Sequence, residues 1–538
     1  MGAGLAPDVA YNLAAPSSPV AMSALIALNL PPLDAKPVNP PETRPARVVE
    51  WLADNARKGP VEGARIVGDA LAATNRVAMN DSRRLELAEI YWNAAVAAWP
   101  ELERLYARAS HPLSGHALEA AKAALSLAHE LSTAYKHLLA REAAKRIALG
   151  GPRLMVALIH RCLQCTGRIL VNSYLAYAPV PSRTWQDAHL VYAFARSRKL
   201  HQAPAPGDQP DTTPERTYVQ ALLLALANPY GFHPGQLHQV LRYLQEHGHW
   251  AKLTDVPPVH RMAKAVAIVP VGHDFPPFSA NKGGTLDGSK LFLLAFDLAF
   301  QLQEQLRALE SGGAPPDYAR EAGGSEAFIP LLKRLLRQWA IPPARQFNRL
   351  PSRARVGVCA GLPGAWKHSR SMQAKVPDPS SSLPAMSSCQ VINHTPAGYA
   401  LRQTDPQPSA LRIGDLIALK VEGRGGMQVA MVRWFRNTMK GTALEFGCEL
   451  VSDSPEAGMA ASEGRATQQV PVVIVPEDSG ATGGGTEPSP AQMIAPTGKF
   501  QLEQAVTLKR PGSETFAVLT KRVEDGPGFE IFEFVPVE

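Results

Sequence analysis

Long hydrophobic runs are missing from this sequence. The most apolar stretch, Leu291 to Phe300 (LFLLAFDLAF), is ten residues long and contains Asp297, whereas a membrane-spanning helix needs about 20 apolar residues. No basic segment precedes an apolar one at the start, so the beginning does not read as a secretory signal. Cysteine is scarce: five in 538 residues, an odd number. That excludes a secreted disulfide scaffold and points to a reducing, cytoplasmic setting. Signatures of catalysis are equally short. There is no G-x-S-x-G elbow. Asn281–Lys282–Gly283–Gly284–Thr285 lacks the order of a phosphate loop, and no HExxH accompanies the histidines. Cys162 and Cys165 form CLQC without a second such pair, so they read as two partly buried helical cysteines. His233, His238, His247, His249 and His260 read as surface and capping residues. The expectation is no enzyme, no catalytic residue, no metal and no cofactor.

What the chain does have is enough apolar content to fold and enough proline to divide it. Hydrophobic residues make up 45% and charged residues 19%, which supports packed cores rather than general disorder. Its length suggests roughly two to four domains. Proline, 48 of 538 residues, is nearly twice the usual share of about 5% and marks linkers between folded parts.

Residues 1–45, rich in Ala, Pro and Ser, read as a disordered leader. Residues 46–340 read as a helical domain. Its clearest helix runs from about Gly115 to Leu149, where Leu118, Ala121, Leu125, Ala128, Leu131, Tyr135, Leu139 and Ala143 recur every three or four positions. Ser114 stands as its N-cap and Gly150–Gly151–Pro152 as its stop. Further helices are expected at about 153–177, 184–199, 214–227, 234–247, 287–310 and 326–339. One strand, Ala265–Val271, interrupts them. After Pro342–Pro343 short β-rich runs take over: 354–362, 398–403, 416–421, 428–435 and 443–451, separated by turn residues. That spacing predicts a small antiparallel barrel over residues 341–460. A linker is expected at 461–497, followed by a β-rich extension at 498–538. The fold class is therefore multidomain α + β: helices first, then a small antiparallel barrel with a C-terminal β extension.

The net charge of +7 is uneven. Residues 341–460 carry 14 Lys and Arg against 8 Asp and Glu, so most of the surplus sits in under a quarter of the chain and points to an anionic partner there. Arginines stand at 345, 349, 353 and 355, and about forty residues later Asn393, Thr395 and Gly398 complete N-x-T-x-x-G ahead of a strand. R-x-x-x-R followed by this turn resembles the signature of PilZ domains, and GDLIALKV, VAMVRWF and FGCELVS follow the strand order of such a barrel. The resemblance covers about residues 345–455. Two departures stand out: Thr395 replaces the usual serine, and 370–387 lengthens the gap as an inserted loop.

The resemblance implies a receptor for the bacterial second messenger cyclic di-GMP, with Arg349, Arg353, Asn393, Thr395, Gly398 and, in an overlapping register, Arg345 as ligand-binding residues. The chemistry agrees with it. A guanidinium can fork onto a phosphate, donate to guanine O6 and N7, or stack on a base. A protein partner is expected through the helical domain. Two other readings stay open: a structural adaptor whose barrel binds no ligand, and a nucleic-acid binder. Few aromatics accompany the arginines, which counts against the second.

Overall fold

Apolar residues at helical spacing fill the first half of the chain, and in the computed structural model they form a helical body. The structure describes residues 27–537 except 146–150, 207–211, 259–264, 281–287, 322, 341–346, 375–381, 406–410, 438–443, 463–467 and 478–489. The body begins with α1 (Pro45–Asn55), α2 (Pro60–Asn75), α3 (Asp81–Tyr106), α4 (Gly115–Ala144) and α5 (Gly151–Leu175). It continues with α6 (Thr184–Ser197), α7 (Pro214–Leu226) and α8 (Pro234–His247). Helix α4 packs against α2, α3 and α5. Its buried Ala120, Ala121, Ala124 and Ala128 let those neighbours approach closely. Ser114 occupies the N-cap position of α4 without a side-chain bond, whereas Thr213 caps α7 by accepting from the Arg216 N–H at 3.1 Å. Helix α4 ends at Ala144, short of the expected Leu149; of its expected stop, Gly150 lies outside the described residues, while Gly151 and Pro152 open α5.

By length and composition α5 is apolar enough to cross a membrane, but 67% of its apolar window is buried inside the protein. Burial against neighbouring helices accounts for that composition.

Four corrections concern element boundaries. Residues 287–310 are not one helix. Lys290–Leu294 form strand β4, and α9 (Phe296–Glu310) starts only after Ala295. The single strand expected at 265–271 is β2 (Val266–Pro270) of a four-stranded sheet with β1 (Lys252–Thr254) and β3 (Phe278–Ser279), in the order β1-β4-β2-β3. Two helices follow, α10 (Asp317–Arg320) and α11 (Gly324–Trp339). The stretch after Arg370, expected to be an inserted loop, begins as the end of α12 (Leu362–Gln373), and residues 375–381 within it lie outside the described residues. The leader is not loose throughout, because Leu28 is buried in the helical core and Asp34 pairs with Val77.

The first barrel matches the sequence pattern closely. Its strands are β5 (Leu350–Pro351), β6 (Arg355–Ala360), β7 (Ser387–Thr395), β8 (Gly398–Gln403), β9 (Leu416–Val421), β10 (Gln428–Asn437) and β11 (Leu444–Ser452). They run in the order β5-β7-β6-β9-β10-β11-β8, and β8 pairs back to β7 to close the sheet. Alternation puts Val356, Val358, Val391, Leu401, Leu419, Val432 and Phe446 inside.

The expected linker at 461–497 and extension at 498–538 are corrected together. Strands β12 (Glu456–Ser462), β13 (Val470–Val475), β14 (Gln492–Pro496), β15 (Ala505–Arg510), β16 (Ser513–Gly526) and β17 (Phe529–Pro536) close a second barrel. It needs the strands on both sides of the Gly-rich stretch, which itself lies outside the described residues. Helix α12 is clamped between the barrels. Trp366 donates from its indole to the Gly458 carbonyl at 2.8 Å, and Leu362 and Ala365 share a core with Val473 and Phe529.

The helical body also meets the first barrel directly. Tyr177 is part of the barrel's core cluster, and its carbonyl accepts from the Asn437 N–H at 2.8 Å. The His111 ring lies 4.6 Å from that of Tyr177 and 5.9 Å from that of Phe435.

Candidate ligand-binding site

The arginine segment is a strand edge. Leu350 pairs with His394 and Pro351 with Asn393 in antiparallel register. The Ser352 N–H donates to the Ile392 carbonyl at 3.3 Å, and the Val391 N–H donates to the Ala354 carbonyl at 2.9 Å. Residues 350–358 therefore run the length of β7, with a break between β5 and β6. Extending the register by one residue sets Arg349 opposite Thr395. Val391 and Ala354 point into the barrel, so alternation turns Arg353 outward, and a bulge at Ile392 turns Asn393 outward beside it.

Arg349 and Arg353 are both exposed, and among the described residues neither guanidinium has an ion pair or a side-chain hydrogen bond. The strap thus brings together Arg349, Arg353, Asn393 and Thr395. Arg345 lies outside the described residues.

Gly398 has a different reason for being glycine than contact with a ligand. A Cβ there would lie 2.1 Å from the Cys448 carbonyl oxygen on β11. The close pass of β8 over β11 excludes a side chain. Thr395 Oγ1 donates to the Gly398 carbonyl at 3.5 Å, bracing the turn.

Sequence reasoning left out the row beside these residues. Asn393 pairs with Ala400, Ala400 with Gly447, and Gly447 with Trp434. The outward row thus reads Pro351, Asn393, Ala400, Gly447, Trp434. A Cβ on Gly447 would fall 1.8 Å from Trp434 Nε1, so the half-buried indole lies over bare backbone. Ala400 and Gly447 are themselves buried, Gly447 under the indole, so this row is closed packing of small residues and only the half-buried Trp434 ring offers a flat face at its end. The available signal was the strand VAMVRWF, where Trp434 counted only as a family likeness.

Other groups singled out from the sequence do structural work. Cys162 and Cys165 are fully buried free thiols, and burial pushes Cys162 up to about 12 and Cys165 upward as well. Burial likewise raises Cys389 and Cys448 to about 12. His233 caps α8 by accepting from the Gln236 N–H at 3.2 Å, and His238 faces Glu103. His260 and the Asn281–Thr285 stretch lie outside the described residues. Among the described residues no three His, Cys, Asp or Glu are grouped to hold a metal ion.

This barrel is a PilZ domain, and the chain is a PilZ-domain protein of mixed α + β architecture. Residues 365–457 match the model for the middle PilZ domain of the cyclic-di-GMP receptor FimW. Residues 46–258 match that receptor's N-terminal domain model and 461–537 its C-terminal β-barrel domain model. Asn393, Thr395 and Gly398 fall inside the PilZ match, whereas Arg349 and Arg353 precede it. A curated relative, the cyclic-di-GMP receptor FimW of Pseudomonas aeruginosa, is 20% identical over 92% of this chain and 91% of its own length. No solved structure matches the chain.

Proposed function

We infer that this chain is a cyclic di-GMP receptor that works by binding alone, without making or breaking bonds in its ligand. One observation carries this reading: the register that lays the arginine strap along β7, with Arg349 and Arg353 on the same outward face as Asn393 and Thr395. Two unpaired guanidinia on one edge suit a ligand with two phosphates. Asn393 offers a donor and an acceptor for a base edge. The half-buried Trp434 indole suits stacking against a guanine face. The matches to receptor models along the chain support the same reading. The reading places the protein in the cytoplasm, in keeping with its five unpaired, buried thiols.

The strap follows α11 in the chain, so a ligand that fixes it can act on the helical body, which we assign to a protein partner. Isothermal titration calorimetry of the full chain with cyclic di-GMP is expected to give saturable heat. Hydrogen–deuterium exchange is expected to slow at residues 347–354. An absence of heat, with native circular dichroism, would leave the ligand-free adaptor as the better account.

A further inference from the structure

Residues 27–30 lie across the junction of α4 and α6 and are held there by their main chain. The Asn29 N–H donates to Asp187 Oδ1 at 3.2 Å, and the Asn29 carbonyl accepts from Lys136 Nζ at 3.2 Å. Arg183 donates to the Ala27 carbonyl. Leu28 is buried in the helical core and Leu30 packs against the same core, whereas Asn29 faces solvent.

Lys136 and Asp187 form the unusual part. They are paired at 2.6 Å with side chains only 5% and 8% exposed. A buried ion pair is costly unless the remaining donors and acceptors are met. Here the backbone of one residue of a tethered segment meets them: Asn29 offers its N–H to the carboxylate and its carbonyl to the ammonium. Recognition of this kind reads backbone plus apolar side chains on either side and ignores the residue between.

We propose that the Lys136–Asp187 pair and the flanking leucine pockets form a peptide-docking site, filled in cis by Leu28–Leu30, that also takes a peptide with leucines two residues apart supplied in trans. The site lies in the helical body, on residues separate from the nucleotide face of the barrel, and does not depend on ligand binding there.

The test uses the full chain and a fluorescein-labelled synthetic peptide of residues 27–36 (ALNLPPLDAK). Leu28→Asp puts a carboxylate where an apolar pocket excludes it, and hydrogen exchange checks that residues 27–30 are released. Fluorescence anisotropy is expected to show saturable binding to L28D at least tenfold tighter than to the unaltered chain, whose site is filled. A peptide with Asn29→Pro, which lacks the N–H that Asp187 accepts, is expected not to bind. A peptide with Asn29→Ala is expected to bind like the parent, and Lys136→Met in the L28D background to lose binding. Asn29→Pro in the full chain releases the segment without adding a charge and serves as the second variant if L28D melts. The proposal is overturned if the released variant binds no peptide, if residues 27–30 stay protected in both variants, or if the Asn29→Pro peptide binds as well as the parent.

Discussion

Truncating Arg349 or Arg353 to alanine separates affinity from stability, because the two effects have different sources here. Neither guanidinium is tied to another described residue and both are exposed, so each loss changes folding stability by only about 0.5 kcal/mol or less. A shift of Tm of about 2 °C at most follows for a domain of this size. Affinity is another matter. A hydrogen bond to a charged group contributes about 1.5–3 kcal/mol, and a factor of ten in Kd corresponds to about 1.4 kcal/mol. Each truncation is therefore expected to weaken cyclic di-GMP binding by roughly 10- to 150-fold. Arg349→Lys keeps the charge but loses the fork, so it recovers only part of that. Arg57→Ala removes the same charge from the helical body, where the side chain is 83% exposed and 3.7 Å from Asp54, and leaves Kd unchanged. Calorimetry reads affinity and differential scanning fluorimetry reads Tm. Binding within threefold of the unaltered chain in both alanine variants would remove these arginines from the site. A loss of Tm of about 5 °C or more would show them to be part of the fold instead.

Gly398→Ala is expected to fail for the opposite reason. Its Cβ would collide with the Cys448 carbonyl, costing about 1–3 kcal/mol, so thermal melting falls together with binding; unchanged Tm would refute the steric account. Burial lowers His111, His137, His160 and His189 each to about 4. A depressed histidine stays neutral in the folded chain while the unfolded one takes up a proton near pH 6.5, so stability is lost as pH falls from about 6.5 to 4. At pH 5.5 that amounts to about 1.4 kcal/mol per histidine, and His111→Phe is expected to flatten the dependence of Tm on pH. A slope identical to the parent's would count against burial as the cause. Arg433 joins the barrels by reaching Glu449 on β11 at 2.6 Å and Glu524 on β16 at 2.8 Å. With side chains about one-third exposed, a double-mutant cycle of Arg433→Ala and Glu524→Ala in urea is expected to give a coupling of about 0.5–1 kcal/mol. Additive losses would mean that the bridge does not join the barrels.

Local pattern settled much of this molecule. Strands 398–403 and 416–421 fall where the β-rich runs put them, although both are buried on nearly all sides: Ile417 and Leu419 fill the first barrel, while Leu416 and Ala418 pack toward α12 and the second. The helix at 234–247 likewise starts at its cap and stops at Gly248. The misses lie where tertiary context outweighs local signal. KLFLL at 290–294 is apolar enough for either a helix or a strand, and only pairing with Val266–Pro270 makes it β4. The second barrel was cut in two because its Gly-rich stretch looks like the end of a domain, whereas β13 and β14 pair across it. At the site, the arginines and the Asn393–Gly398 turn were legible as a motif. Which of them face outward was not, since that depends on a bulge at Ile392. The Ala400–Gly447–Trp434 row depends on register across three strands, which no single stretch of sequence carries.

Under the proposed function, the contacts of α11 define the route from nucleotide to helical body. Its buried Phe328, Leu331, Leu332, Leu335 and Trp339 fix it to the core, and the Trp339 indole donates to the Leu223 carbonyl at 3.0 Å. Arg334, lowered to about 10 by burial and so still charged at neutral pH, lies 3.9 Å over the Phe232 ring and donates to the Gly231 carbonyl at 2.7 Å. A Cβ on Gly231 would sit 3.0 Å from the Arg433 carbonyl of β10, so this turn is wedged between α11 and the strand that also carries Trp434. Glu326, at the other end of α11, pairs with Arg522 on β16 at 2.7 Å. One helix therefore precedes the arginine strap in the chain and contacts both barrels, through the Gly231 turn and through Arg522. A ligand that clamps the strap can shift the helical body only by as much as it prefers one arrangement of these contacts over another. A coupling of 1–3 kcal/mol is typical of such linkages and is of the same order as the loss of one of these ion pairs or hydrogen bonds. Under that reading a small set of contacts around α11 would be enough to carry the coupling, with no large rearrangement of either core.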